Sequence, residues 1–297
     1  MQAQLENKKR LLLICVLSFL LIAVVSGGVF LIRAPVLIVT DNSFYLLYGP
    51  ARLRQKQIQI SISLFRRVIP VIVSEHAGPD LVAIAAEEAA SLPWAVLFPY
   101  RYLEGARRLR GINPDVRILV MGGRAKVPMG LDDMNIIYVQ TDSAADLFRA
   151  GLSAAALAGE KNILVLEEEL LAEEYRESLG ETLKSHGFLG ELHFRAPYEH
   201  ISSYDNIGCA ILVGSVFRFF DNNLDIPVIL FSWLDPAFSP RSVKLVFDDS
   251  HWALAARALK SRGGAELLIY SASTVLADRI DEKGDSRKIR NLLRENS

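Results

Sequence analysis

Cysteine is nearly absent: among 297 residues only Cys15 and Cys209 occur, and Cys15 lies inside an apolar run. A structural disulfide and any zinc site of the C-x-x-C kind are therefore excluded as expectations. The five histidines, His76, His186, His193, His200 and His251, are scattered without metal-ligand spacing. Excess charge is missing too, since the net charge is −1, and that gives no support to a nucleic-acid partner. No G-x-S-x-G elbow, Walker A loop, G-x-G-x-x-G fingerprint or H-E-x-x-H helix is found. An enzyme, a cofactor and a resident metal are thus not expected. His251 follows Asp248, Asp249 and Ser250, but sequence neighbours do not make a catalytic triad, and a helix-capping Ser250 is the simpler account.

What is present is apolar: hydrophobic residues make up 51%, enough for a sizeable core and two lobes. Leu11 to Ile32 is uncharged and long enough to cross a hydrocarbon core of roughly 30 Å. Lys8, Lys9 and Arg10 precede it and Arg33 alone follows, so the positive-inside bias places residues 1–10 in the cytoplasm and everything after residue 33 outside. Residues 11–33 then form a single-pass signal anchor in a bacterial inner membrane, with the main domain in the periplasm or on the outer face. A cleaved signal peptide ending near Val24-Val25-Ser26 is the competing reading, which would release the domain to the periplasm.

Beyond the anchor, apolar runs alternate with helical periods. Pro35 to Asp41 reads as a strand buried on both faces, ending in a carboxylate. Residues 58–65 fit either a strand or a helix beginning near Gly49-Pro50; the helix is favoured because parallel neighbours need a crossover. Strands are expected at 68–74, 94–98, 117–121, 136–140, 162–166, 191–194, 210–213, 228–231, 244–247 and 266–270. Between 140 and 162, Ala144, Leu147, Phe148, Gly151, Leu152 and Ala155 share one helical stripe. Ser143 is expected to cap it, Asp146 to act as the carboxylate of a capping box and Gly159 to stop it. A second helix carries Leu171, Tyr175, Leu179, Leu183 and His186 up to Gly187, and Glu167 to Glu169 reads as a solvated strand end. From Ala277 charge dominates.

The pattern predicts an α/β architecture with parallel sheets. The order of elements over roughly residues 35–275 resembles the type I periplasmic solute-binding proteins and the effector-binding cores of the lac-repressor family. Three places carry the resemblance. Asp41-Asn42-Ser43-Phe44-Tyr45 looks like the loop whose aromatics sandwich a ring; Gln140-Thr141-Asp142 with Gly151 and Lys161-Asn162-Ile163 looks like the crossover into a second lobe; Asp248-Asp249-Ser250 looks like the return. The resemblance implies two Rossmann-like lobes, 34–141 plus 248–275 and 142–247, joined by a three-strand hinge and followed by a charged tail at 276–297. It also implies capture of a small polar solute such as a sugar or nucleoside, for an ABC transporter permease or a membrane sensor. The alternative is an envelope scaffold of the same fold that binds no ligand.

Candidate ligand contacts are Phe44, Tyr45, Arg124, Asp142, Trp233, Asp235 and Asp248. Each has a plainer role beside it. Phe44 and Tyr45 either stack on a ring or pack under their own loop, and Asp142 either accepts from ligand hydroxyls or simply starts a helix. Arg124 binds an anion or occupies a basic turn. Trp233 and Asp235 follow a strand end, where open α/β sheets place ligands, or close the edge of their own lobe. At 122–124 the chain reads Gly-Gly-Arg and at 232–235 Ser-Trp-Leu-Asp, departures from the family's sugar-binding pattern that argue against a standard hexose or pentose.

Overall fold

The computed structural model describes residues 15–21, 24, 27–123, 136–167, 173–195, 206–213, 226–231, 242–261 and 267–276. Two six-stranded sheets form the body. The first has the order β11-β5-β4-β3-β1-β2, built from β1 (Val36–Asp41), β2 (Val68–Val73), β3 (Ala95–Pro99), β4 (Arg117–Gly123), β5 (Ile136–Thr141) and β11 (Leu267–Tyr270), all parallel. The second has the order β12-β10-β9-β8-β6-β7, from β6 (Asn162–Glu167), β7 (Leu192–Arg195), β8 (Ile207–Val213), β9 (Val228–Phe231), β10 (Val243–Asp248) and β12 (Ser273–Leu276). Here one expectation is corrected: β12 runs antiparallel to β10, so residues 273–276 return to the second sheet instead of staying in the first lobe. Six residues between Tyr270 and the end of the described chain are too few for a crossover helix, and an antiparallel partner needs none.

Why the strands sit where they do follows from side-chain alternation. In β1, Val36 and Ile38 pack into one apolar cluster with Tyr48, Leu53, Trp252 and Leu259, while Leu37 and Val39 pack into another with Val82, Phe98 and Leu109. Every residue of β1 is buried, as a strand covered on both faces requires. Each such Val, Leu or Ile contributes about 1.5–3 kcal/mol by leaving water. Pro70 falls on β2, an edge strand, where its missing N–H breaks no inner ladder.

Helices cover the sheets: α1 (Asn42–Tyr48), α2 (Pro50–Leu64), α3 (Pro79–Ala89), α4 (Leu103–Ile112), α5 (Ser143–Ala158), α6 (Glu173–Ser185) and α7 (His251–Lys260). α2 settles the ambiguity at 58–65 in favour of the helix. α1 differs from the expected loop, because Asp41 accepts the Phe44 N–H at 2.8 Å and so nucleates a turn. At α5 the cap is Asp142, which accepts from Ala145 N at 3.0 Å, and not Ser143. Asp146 is likewise no capping box: it is buried, ion-paired with Arg149 at 3.0 Å and bonded to Ala272 N at 2.8 Å. Gly159 and Gly187 end α5 and α6 with φ of 65° and 83°. Glu167 is buried at the end of β6, against the solvated strand end expected there; Glu168 and Glu169 lie outside the described residues.

Residues 15–21, 24 and 27–32 are helical, with Phe19, Val24 and Ile32 exposed by 73%, 72% and 86%. Among the described residues no helix is long and apolar enough to cross a membrane. Residues 277–297, including the charged tail, lie outside the described residues.

Candidate functional site

Among the described residues the chain passes between the sheets three times, at Thr141–Asp142, at Asp248–Ser250 and at Tyr270–Ser273. Each departure is from the carboxyl end of a strand: β5, β10 and β11. Carboxyl ends of parallel strands, where loops and helix starts gather, are where open α/β sheets place ligands. The side chains at these ends form two polar clusters.

One belongs to the first sheet. Asp41 ends β1, and its second oxygen accepts from Arg101 at 3.1 Å; Arg101 also donates to the Glu75 carbonyl at 2.7 Å. Ser43 donates to the Glu75 carboxylate. Tyr102 donates to the Ser74 carbonyl at 3.3 Å, and its hydroxyl is held above the ordinary phenol range by burial first and by Asp41 next. Three neighbouring strand ends thus bring together a guanidinium paired with the Asp41 carboxylate and a Glu75 carboxylate held by Ser43, with Arg101 46% exposed. Such a set can bind a polar group that offers both donors and acceptors.

The other cluster sits at the second crossing. Asp248 is fully buried, accepts from Ser250 N at 3.1 Å and Tyr48 Oη at 3.0 Å, and pairs with Arg52 at 2.5 Å. Arg52 lies over the Tyr48 ring at 4.2 Å. Burial pushes the Tyr48 phenol well up and lowers Lys56, which Asp248 partly restores. Tyr48 and Arg52 belong to the first lobe and Asp248 to the second sheet, so this cluster ties the lobes together.

The sequence-predicted contacts fare unequally. Phe44 is buried, stacked on Tyr48 at 5.0 Å and against His251 at 4.6 Å, while Tyr45 is half-buried beside the same cluster. Asp142 serves as the cap of α5. Asp248 takes its partners from this chain. Arg124, Trp233 and Asp235 lie outside the described residues. Sequence reasoning missed Arg101, Glu75 and Arg52, whose partners lie 26 to 196 positions away. The signal for Glu75 and Arg101 was their place just past expected strand ends; for Arg52 there was none. Among the described residues no group of three or more His, Cys, Asp or Glu could hold a metal ion.

No family model matches the chain, and no curated protein sequence matches it. Solved structures do match over most of its length. A transcriptional activator of the comK gene from Bacillus halodurans is 12% identical with a TM-score of 0.60, covering 89% of this chain and 98% of that one. An ABC transporter solute-binding protein from Conexibacter woesei DSM 14684 is 12% identical with a TM-score of 0.56, covering 89% and 96%. An ABC transporter periplasmic solute-binding protein from Actinobacillus succinogenes 130z, with bound D-allose, is 13% identical with a TM-score of 0.51, covering 86% and 99%. With two sheets, three crossings at strand carboxyl ends and these likenesses, the chain has the two-lobed fold of the type I periplasmic binding proteins.

Proposed function

We propose that this protein is a membrane-anchored extracytoplasmic receptor that captures a small polar solute between its lobes, without chemistry, and passes that state to a transporter permease or a membrane sensor. The observation that carries the reading is the Asp41–Arg101–Glu75 cluster, with Arg101 46% exposed, at three strand ends of a fold that in one solved structure holds D-allose. Solute that contacts both lobes only when they are closed shifts the population by its differential affinity. The anchor is supported by the uncharged run from Leu11 to Ile32, whose described part is a helix with apolar side chains turned outward.

The full-length protein in detergent is to be melted against pools of sugars, nucleosides, amino acids and polyols. A ligand at a thousandfold excess over Kd adds about 4 kcal/mol, a shift of several degrees. Arg101→Ala is expected to abolish that shift and, by leaving the buried Asp41 carboxylate without its cation, to lower the melting point of the free protein, so the shift is read against each variant's own ligand-free melt. One observation favours the rival scaffold: Phe44 and Asp248 are satisfied by Tyr48, His251 and Arg52 of the chain itself. Silence in every pool decides for the scaffold.

A further inference from the structure

The amino-terminal edge of the first sheet carries a second surface, unlike the polar strand ends opposite. Parallel register pairs Val36 with Val68 and with Ala95, which aligns the segments before these strands, 33–35, 65–67 and 92–94. Hydrogen bonds fix the alignment: Trp94 N to Pro35 O at 2.8 Å, Val36 N to Arg67 O at 2.8 Å and Arg66 Nη1 to Ala34 O at 2.9 Å. These segments read Arg-Ala-Pro, Phe-Arg-Arg and Leu-Pro-Trp, with three arginines and no acid. Leu92 is 75% exposed, Phe65 39% and, one turn back on α2, Ile62 74%. Phe65 holds φ at 51°, a left-handed conformation that glycine would adopt without strain. That turn closes α2, with the Phe65 N–H bonded to Ile62 O at 3.3 Å.

From the apolar amino-terminal helix the chain runs directly into this edge. Arg33 N still bonds to Val29 O at 3.1 Å, Phe30 meets Phe65 edge-on at 5.8 Å, and the Arg33 guanidinium lies over the Phe65 ring at 5.4 Å. Only residues 33–35 separate the last helical residue from β1, a reach of about 10 Å at full extension. A headgroup layer is of comparable thickness. Arginines beside a tryptophan and outward apolar tips are the chemistry that settles at an anionic headgroup boundary. Arg66 over the Trp94 ring at 4.6 Å is one such pairing already formed.

We infer that this edge is a docking face for anionic phospholipid, with Phe65 and Leu92 dipping into the boundary and Arg33 and Arg67 on lipid phosphates. The inference rests on the anchored reading and adds an orientation to it. The first lobe stands on the bilayer, its polar strand ends face away from lipid, and the second lobe is the one left free to move. Because the edge is built from three strand starts, the docked lobe is held as a rigid body.

The test uses the full chain with Cys15→Ser, which leaves only the buried Cys209 thiol. Either Leu92→Cys or Leu189→Cys, the latter at a 79% exposed position of the second lobe, is labelled with a polarity-sensitive fluorophore. Labelled protein is reconstituted into vesicles of phosphatidylcholine alone or mixed equally with phosphatidylglycerol, carrying headgroup-proximal quencher lipids. The expected result is at least about twofold stronger quenching at position 92 than at 189 in anionic vesicles, reduced by Arg33→Glu with Arg67→Glu. Equal quenching at both positions in protein that co-floats with vesicles overturns the docking face alone. Failure to co-float overturns the anchor and the docking face together.

Discussion

Replacing Arg52 by methionine removes the guanidinium paired with the Asp248 carboxylate, which has no solvent exposure. Asp248 keeps Tyr48 Oη and Ser250 N but loses the guanidinium at 2.5 Å. Methionine fills most of the arginine stem's volume, so the change is chiefly one of charge. Breaking a buried pair from one side costs about 3–5 kcal/mol, because the remaining charge is stranded. Adding Asp248→Asn removes that charge and should restore much of the loss. The two changes are then expected to couple by about 2 kcal/mol or more, where independent sites add within about 0.5 kcal/mol. Urea unfolding of wild type, both single variants and the double variant provides the cycle. Tyr48→Phe serves as a scale, since one hydrogen bond to a charged acceptor is worth about 1.5–3 kcal/mol. Additive single effects would refute the assignment of Arg52 and Asp248 as one unit tying the lobes.

Burial pushes the His251 imidazole down to about 3, partly opposed by a hydrogen bond to the Val39 backbone. Unfolding therefore takes up a proton between pH 6.5 and 3; the urea midpoint should be highest above pH 6.5 and fall on acidification, with about 2 kcal/mol lost at pH 5. His251→Leu should flatten that part of the profile. Gly208 leaves no room for a methyl group, since an added Cβ would stand 2.8 Å from Ala158 O and 2.9 Å from Ala158 Cα. Gly208→Ala should cost about 1–3 kcal/mol, and hydrogen exchange should show faster opening of β6 and β8 than of β1 and β3.

Those predictions separate what the chain states openly from what it conceals. The stripe Leu147, Gly151 and Leu152 declares α5 because helical periodicity is a local property, and β1 declares itself by an unbroken apolar run. The Asn42–Tyr48 helix is hidden because a single side chain, Asp41, converts an apparent loop into a capped turn. The short β12 is hidden because four residues carry too little pattern to show which sheet they join. Polar partnerships are the least legible. Asp248 is visible as a crossing residue, yet nothing near it in sequence announces Tyr48 or Arg52, 200 and 196 positions away. Membership of the Asp41–Arg101–Glu75 cluster depends on which strands lie side by side, and that order, 2-1-3-4-5-11, is a property of the folded sheet.

The place of β11 in that order bears on how the protein is made. β5 lies between β4 and β11, but β11 is translated roughly 125 residues after β5, once every strand of the second sheet except β12 has been synthesised. At about 5–20 residues per second the open edge of β5 waits on the order of ten seconds on the ribosome. Unpaired edges of apolar strands attract other chains. Neither lobe is a unit of synthesis, and the last strands to emerge, β11 and β12, close the outer edge of β5 and of β10, one in each sheet, within ten residues of each other.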